Sequence, residues 1–387
     1  MLEKDNSNFN YIYIQNTLEL NKSLDLLQDK KIFFIDTEFV NNKNCDELCL
    51  LQISDGENCL VIDTLKLNDT AKLASTIASK GSVWIIHACY EDLRYLINYL
   101  NIDSLPKIFD TQIAWGMNNA ETYISLSYLV ATLLNIKIEK KYQAIDWTSR
   151  PLNKEYLDYA AGDVKHLPEI YKLLNEELIR NNKSHIFESV MDDFLHNWKF
   201  KTNSSKRISN SNFKNLWELD YMGYAALQFL IEWYNNLSRD IQKTVPKPHI
   251  LFNIAKALPQ CADDLKKIQG IPFKFIKEKG DSFTGKIIMA TYNANPEDFN
   301  EIKPNPQKSF YEKKVENIIK LAFSKISHDL KISIDIIYND FICKEMIKLA
   351  CKNNSIEKCE DALDGWRKEY LKDDFIRILK KIEQIID

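Results

Sequence analysis

The sequence predicts a mixed α/β sheet with helices on its faces, followed by an all-helical C-terminal half. Three observations carry that prediction. Residues 31–175 alternate strand-like and helix-like stretches. A turn signal at Asp55-Gly56 couples two neighbouring strand-like runs. After about residue 200 no strand pattern recurs. At 387 residues the chain has room for two or three domains.

In chain order, KIFFID (31–36) is a short apolar run of the kind that forms a buried strand. LCLLQI (48–53) and CLVID (59–63) follow, and the Asp55-Gly56 turn between them predicts an antiparallel pair. VWIIH (83–87) reads as a buried strand running into a helical segment over 90–100, and IFDT (108–111) is a further strand-like stretch before a helix. Helical periodicity spans Tyr156 to Arg180, with Asn153 as the expected N-cap and Pro168 placed to kink the helix. KTNSSKRISNSN (201–212) is polar, basic and Ser/Asn-rich, as a linker is. Leu216 to about Leu265 reads as helices with short breaks, one at VPKPH (245–249). NANPEDFNEIKPNPQ (293–307) holds three prolines and no core pattern, and from Phe310 onward the sequence is again helical in character. The expected partition is therefore 1–200, a linker at 201–212, 213–292, a linker at 293–307, and 308–387.

Composition narrows the function. The net charge of −4 hides an asymmetry: residues 1–200 carry −9, residues 201–300 carry +4 and residues 301–387 carry +1. An acidic half joined to a mildly basic one suggests separate jobs. Only 9 glycines occur and none forms G-x-G-x-x-G, which excludes a dinucleotide fingerprint. Gly280 to Lys286 reads G-x-x-x-x-G-K, but Ile287 stands where a phosphate loop needs Ser or Thr, so no nucleotide cofactor is expected. No apolar run approaches the 18 or more residues of a membrane span, and MLEKDNSNFN at the start is polar. None of the eight cysteines forms C-x-x-C, which fits reduced thiols in a cytoplasmic protein; Cys343, Cys351 and Cys359 recur at core spacing.

The chemistry lies in the acids. Asp36 and Glu38 stand at i and i+2 of a strand, so both carboxylates point to one side. Paired carboxylates repel unless a cation neutralises them, and hard divalent cations prefer oxygen ligands. His87 ends the next strand, and Glu91 and Asp92 open the following helix. Tyr159 and Asp163, four apart, share a helix face. Acids gathered from separate elements of one sheet can hold two cations about 4 Å apart, an arrangement that cleaves phosphodiesters.

In IDTEFV (35–40), LCLLQISDGE (48–57), HACYEDL (87–93), FDTQIA (109–114), DWTSRPL (146–152) and YLDYAAGDV (156–164) the chain resembles the ribonuclease D family, 3′–5′ exonucleases of the class with four acids and a tyrosine. The resemblance implies that Asp36, Glu38, Asp92 and Asp163 are metal ligands and that Tyr159 positions, or deprotonates, the attacking water. The related histidine class would need histidine at Asp158. Residues 229–271 resemble a helicase-and-ribonuclease-D C-terminal (HRDC) domain, and GWRKEYLKDDFIRIL (365–379) resembles the end of a second. The implied fold is thus a ribonuclease-H-like mixed-sheet exonuclease domain followed by two all-α HRDC-type domains. The chain departs from the family at NCDEL (44–48), where an aromatic-proline stretch is usual.

The expected activity is 3′–5′ exoribonucleolysis with two Mg²⁺ or Mn²⁺ ions per site, releasing 5′-mononucleotides. The implied partners are tRNA precursors and other structured RNA 3′ ends. Thr37, His87 and Arg150 are the candidate substrate contacts, Arg150 within a basic, aromatic-bearing stretch that includes Lys140, Lys141, Gln143 and Trp147. The rivals are a DNA 3′–5′ exonuclease of the proofreading kind, which needs the same acids, and a binding scaffold that has lost activity.

Overall fold

The computed structural model describes residues 3–4, 9–41, 46–67, 69–138, 145–203, 207–296 and 308–386. Lys140, Lys141, Gln143, most of the 293–307 stretch and part of the 201–212 stretch lie outside the described residues.

The strands are β1 (Glu3–Lys4), β2 (Ile12–Ile14), β3 (Ile32–Asn41), β4 (Asp46–Ser54), β5 (Cys59–Asp63), β6 (Val83–Ile86), β7 (Lys107–Asp110) and β8 (Ile136–Lys137). Six of them form one sheet in the order β2-β5-β4-β3-β6-β7, and β1 pairs with β8 apart from it. The β3–β4 and β4–β5 pairs are antiparallel, whereas β2 on β5, β6 on β3 and β7 on β6 are parallel. The hairpin turns at Gly56, whose φ of 96° suits glycine, while the Asp55 carboxylate accepts the amides of Glu57 and Asn58. Every residue of β5 and Leu48–Ser54 of β4 is buried, because both faces of the sheet centre are covered. That is why these strands read as continuous apolar runs rather than as alternation.

The helices of this region are α1 (Thr17–Ser23), α2 (Ala71–Ile77), α3 (Tyr90–Leu100), α4 (Thr111–Gly116), α5 (Leu126–Leu134), α6 (Lys154–Lys165), α7 (Leu167–Arg180) and α8 (Ser184–Asn203). The periodic stretch expected as one kinked helix is two, α6 and α7, parted at His166. Pro168 falls in the first turn of α7, where a missing N–H costs no hydrogen bond. Asn153 occupies the N-cap position of α6 with extended backbone, yet its side chain makes no capping bond.

The chain divides into two compact units, Met1–Thr202 with Ser309–Asp387, and Asn203–Lys308. In the first, helices α14 (Phe310–Leu330), α15 (Ile334–Ile337), α16 (Asp340–Asn353) and α17 (Gly365–Ile386) share one hydrophobic core with the sheet. This grouping differs from the three-part sequence reading, which kept residues 308–387 apart. The contacts explain it. The Ser333 amide donates to the Gly116 carbonyl at 2.7 Å, and a Cβ on Gly116 would lie 2.9 Å from the Ile336 methyl. Arg367, buried, donates to the carbonyls of Ile336 and Ile337 and pairs with Asp193 at 3.2 Å. A fragment ending near residue 205 is therefore expected to expose apolar surface and to melt well below the full chain. Circular dichroism would check this, and equal Tm values would refute it.

The second unit holds the helices α9 (Tyr221–Asn235), α10 (Arg239–Thr244), α11 (Pro248–Ala257), α12 (Ala262–Lys266) and α13 (Phe273–Tyr292) around Leu227, Leu230, Leu251 and Ile254. Trp233 packs on Phe275 and Phe283, and Tyr234 is buried, so both are core residues. The G-x-x-x-x-G-K stretch lies inside α13, where its amides belong to the helix rather than to a phosphate loop. No helix among the described residues is long and apolar enough to cross a membrane.

Candidate active site

The Asp36 and Glu38 side chains leave β3 on one face, with a register irregularity between Glu38 and Phe39 at the end of that pair. Helix α6 packs over β3, β4 and β5 and brings Asp163 down onto them. Carboxylate oxygens of Asp36, Glu38 and Asp163 all lie within 4.8 Å of one another. Asp92 is not part of that tight group. It is buried at the start of α3, where its carboxylate accepts the Thr37 hydroxyl. Glu91, the other candidate at that helix start, is exposed and pairs with Arg94 at 3.5 Å.

The cluster is electrostatically expensive. Burial, then Asp163 and Asp92, push both Asp36 and Glu38 well above the usual carboxylate range. Burial raises Asp163 to about 7 and Asp92 to about 6. An all-oxygen donor set that repels itself fits a hard divalent cation, whose charge removes the repulsion.

The sign of the resulting pH dependence is fixed. A carboxyl with a raised folded-state pKa holds its proton more tightly in the native chain than in the unfolded one. Stability therefore falls as pH climbs from the unfolded value near ~4 through about 6 for Asp92 and about 7 for Asp163. In EDTA the protein is expected to melt several degrees lower at pH 8 than at pH 5, and Mn²⁺ added at pH 8 should recover the loss. A Tm in EDTA that rises across this window would contradict a repulsive cluster.

Tyr159 sits one turn before Asp163, half-buried, its ring stacked on Trp147 with centroids 6.3 Å apart and planes at 26°. Burial first, and then the charges of Asp163, Glu38 and Asp36, lift its phenol above the ordinary value.

A family model described as 3′–5′ exonuclease matches residues 11–179, the stretch that holds all four acids and the tyrosine. Ribonuclease D of Haemophilus influenzae is 27% identical over 357 residues, covering 89% of this chain and 86% of the relative. Ribonuclease D of Bartonella henselae is 25% identical over 368 residues, covering 92% and 87%. Over about nine-tenths of its length the chain is similar to these ribonuclease D proteins, and its residues 11–179 match the 3′–5′ exonuclease family. It is a 3′–5′ exonuclease, a hydrolase. The fold agrees: the crystal structure of Escherichia coli RNase D, described as an exoribonuclease involved in structured RNA processing, superposes with a TM-score of 0.75 at 21% identity, covering 96% of this chain and 99% of that one. The catalytic core of RRP6 from Trypanosoma brucei gives 0.53 at 20% identity over 74% and 80%.

In this ribonuclease D relative the three expected substrate contacts are spent inside the fold. The Thr37 hydroxyl donates to Asp92 and so holds that acid in place. His87 Nε2–H donates to the Ile124 carbonyl at 3.0 Å, which leaves Nδ1 to accept the Thr111 hydroxyl at 2.9 Å; burial holds the ring below its ordinary pKa and therefore neutral. Arg150 uses all five N–H donors: Nε and Nη2 clamp Asp63 at 2.7 and 2.8 Å, Nη2 also reaches the Cys49 carbonyl, and Nη1 reaches the carbonyls of Trp147 and Ser149. No donor remains for a phosphate. Arg150 instead fixes Trp147, the ring behind Tyr159.

Asp110, the N-cap of α4, does more than cap that helix. The Asp110 carboxylate accepts the amides of Gln112 and Ile113 at the start of α4, and those of Ala88 and Cys89 before α3. Ala88 has φ 58°, a left-handed conformation uncommon outside glycine, and this bond helps hold it there. Asp110 thereby sets the start of the helix that presents Asp92.

Proposed function

We propose that this enzyme shortens RNA from its 3′ end by two-cation hydrolysis, releasing 5′-mononucleotides, with Asp36, Glu38, Asp92 and Asp163 as the ligands of Mg²⁺ or Mn²⁺. The observation that carries this reading is the meeting of Asp36, Glu38 and Asp163 oxygens within 4.8 Å under α6. Such cations, when bound, supply the positive charge that acidifies water and offsets charge building on the leaving 3′-oxygen. The protein's own part is positional. Thr37 holds Asp92, Trp147 backs Tyr159, and the Tyr159 phenol orients the water in line with the scissile bond. The Trp147 backing is itself held by Arg150.

The proposed substrates are structured RNA 3′ ends such as those of tRNA precursors, and the proposed setting is the cytoplasm. We assign residues 213–292 and 308–387 to HRDC-type modules. The +4 charge of residues 201–300 supports a share for the first of them in phosphate attraction. The test is a 3′-labelled RNA and its DNA counterpart, each with EDTA, Mg²⁺ or Mn²⁺. Mononucleotide release from RNA only when metal is present is the expected result. Equal or faster hydrolysis of the DNA would replace the RNA reading with a proofreading-type one.

A further inference from the structure

Gln52 stands in β4 directly opposite Asp36 of β3, in register, so both side chains leave the sheet on the same face beneath α6. It is 0% exposed, and neither Nε2 nor Oε1 has a hydrogen-bond partner among the described residues. A buried amide with both ends unmet is destabilising, and an apolar side chain of similar shape would serve the core better. Directly opposed residues in an antiparallel pair have Cβ atoms about 4.5–5.5 Å apart, a span that a glutamine amide and an aspartate carboxylate bridge easily. We propose that Gln52 is a positioning residue of the acidic site, its amide N–H fixing the outer oxygen of Asp36 when that carboxylate turns to ligate a divalent cation. Such outer-sphere bonds orient ligands and hold their charge in place. The inference rests on the cation-binding reading above.

Gln52→Leu and the near-isosteric Gln52→Met separate a positioning role from a structural one. Mn²⁺ is titrated into the purified full chain without RNA, bound ion being read by electron paramagnetic resonance, and Tm is measured in EDTA. Mn²⁺ affinity is expected to fall on the order of 10-fold to 100-fold. Tm in EDTA should stay level or rise, and RNA hydrolysis should recover at raised Mn²⁺. Wild-type affinity in either folded variant overturns the proposal. So does a Tm loss in both variants, because the amide would then be a structural partner or the seat of a buried water. Asp163→Asn serves as control. If the wild type binds no Mn²⁺ that this control loses, the cation reading fails and the inference with it; if only the Gln52 variants match wild type, the inference alone fails.

Discussion

Asp36→Asn and Asp163→Asn are each expected to cut RNA hydrolysis on the order of 10³-fold or more, because polarisation by a correctly held cation supplies several kcal/mol of transition-state stabilisation and each ~1.4 kcal/mol is tenfold in rate. Both substitutions keep side-chain size and remove one negative charge from a group whose oxygens lie within 4.8 Å. The same step relieves repulsion: burial and Asp163 come first among the causes that push Asp36 and Glu38 up. Activity and stability should thus move in opposite directions, with turnover lost and Tm in EDTA at pH 8 raised. RNA binding measured by fluorescence anisotropy should change little. That divergence excludes misfolding as the cause of inactivity. Near-normal turnover by either variant at saturating metal would remove Asp36 or Asp163 from the ligand set.

The strands and acids were legible because they follow local rules. Alternation on β3 puts Asp36 and Glu38 on one face, and the spacing of Tyr159 and Asp163 puts both on one side of α6. What the sequence hid depends on partners far along the chain. Arg150 looked like a basic side chain available to phosphate, but Asp63, 87 residues away, claims it. Asp63 itself read as the end of an apolar strand. The C-terminal helices looked independent because their own periodicity is strong, and nothing local marks Gly116 as the place where Ile336 needs room. Gln52 escaped notice for a related reason: β4 is buried on both faces, so one polar residue within LCLLQI breaks no pattern. Strand β2, with three residues, is too short for any period to appear.

Tyr159→Phe is expected to slow hydrolysis on the order of 10²-fold or more, the range of a positioned proton-transfer group, with little change in Tm. Phenylalanine keeps the ring that stacks on Trp147, so only the phenolic oxygen is tested. Two roles for that oxygen make different predictions. As a base it would have to ionise near neutral pH, yet burial heads the causes that raise its pKa, and the charges of Asp163, Glu38 and Asp36 add to it. Cations at the acids would cancel the charge contribution and leave burial in force. A water beside divalent cations, by contrast, loses its proton far more easily than bulk water does. On the proposed reading the phenol orients the water, and the alkaline rise in rate belongs to the water. That rise should persist in Tyr159→Phe and move when Mg²⁺ is exchanged for Mn²⁺. A flat pH profile in the variant beside a rising wild type would make Tyr159 the base.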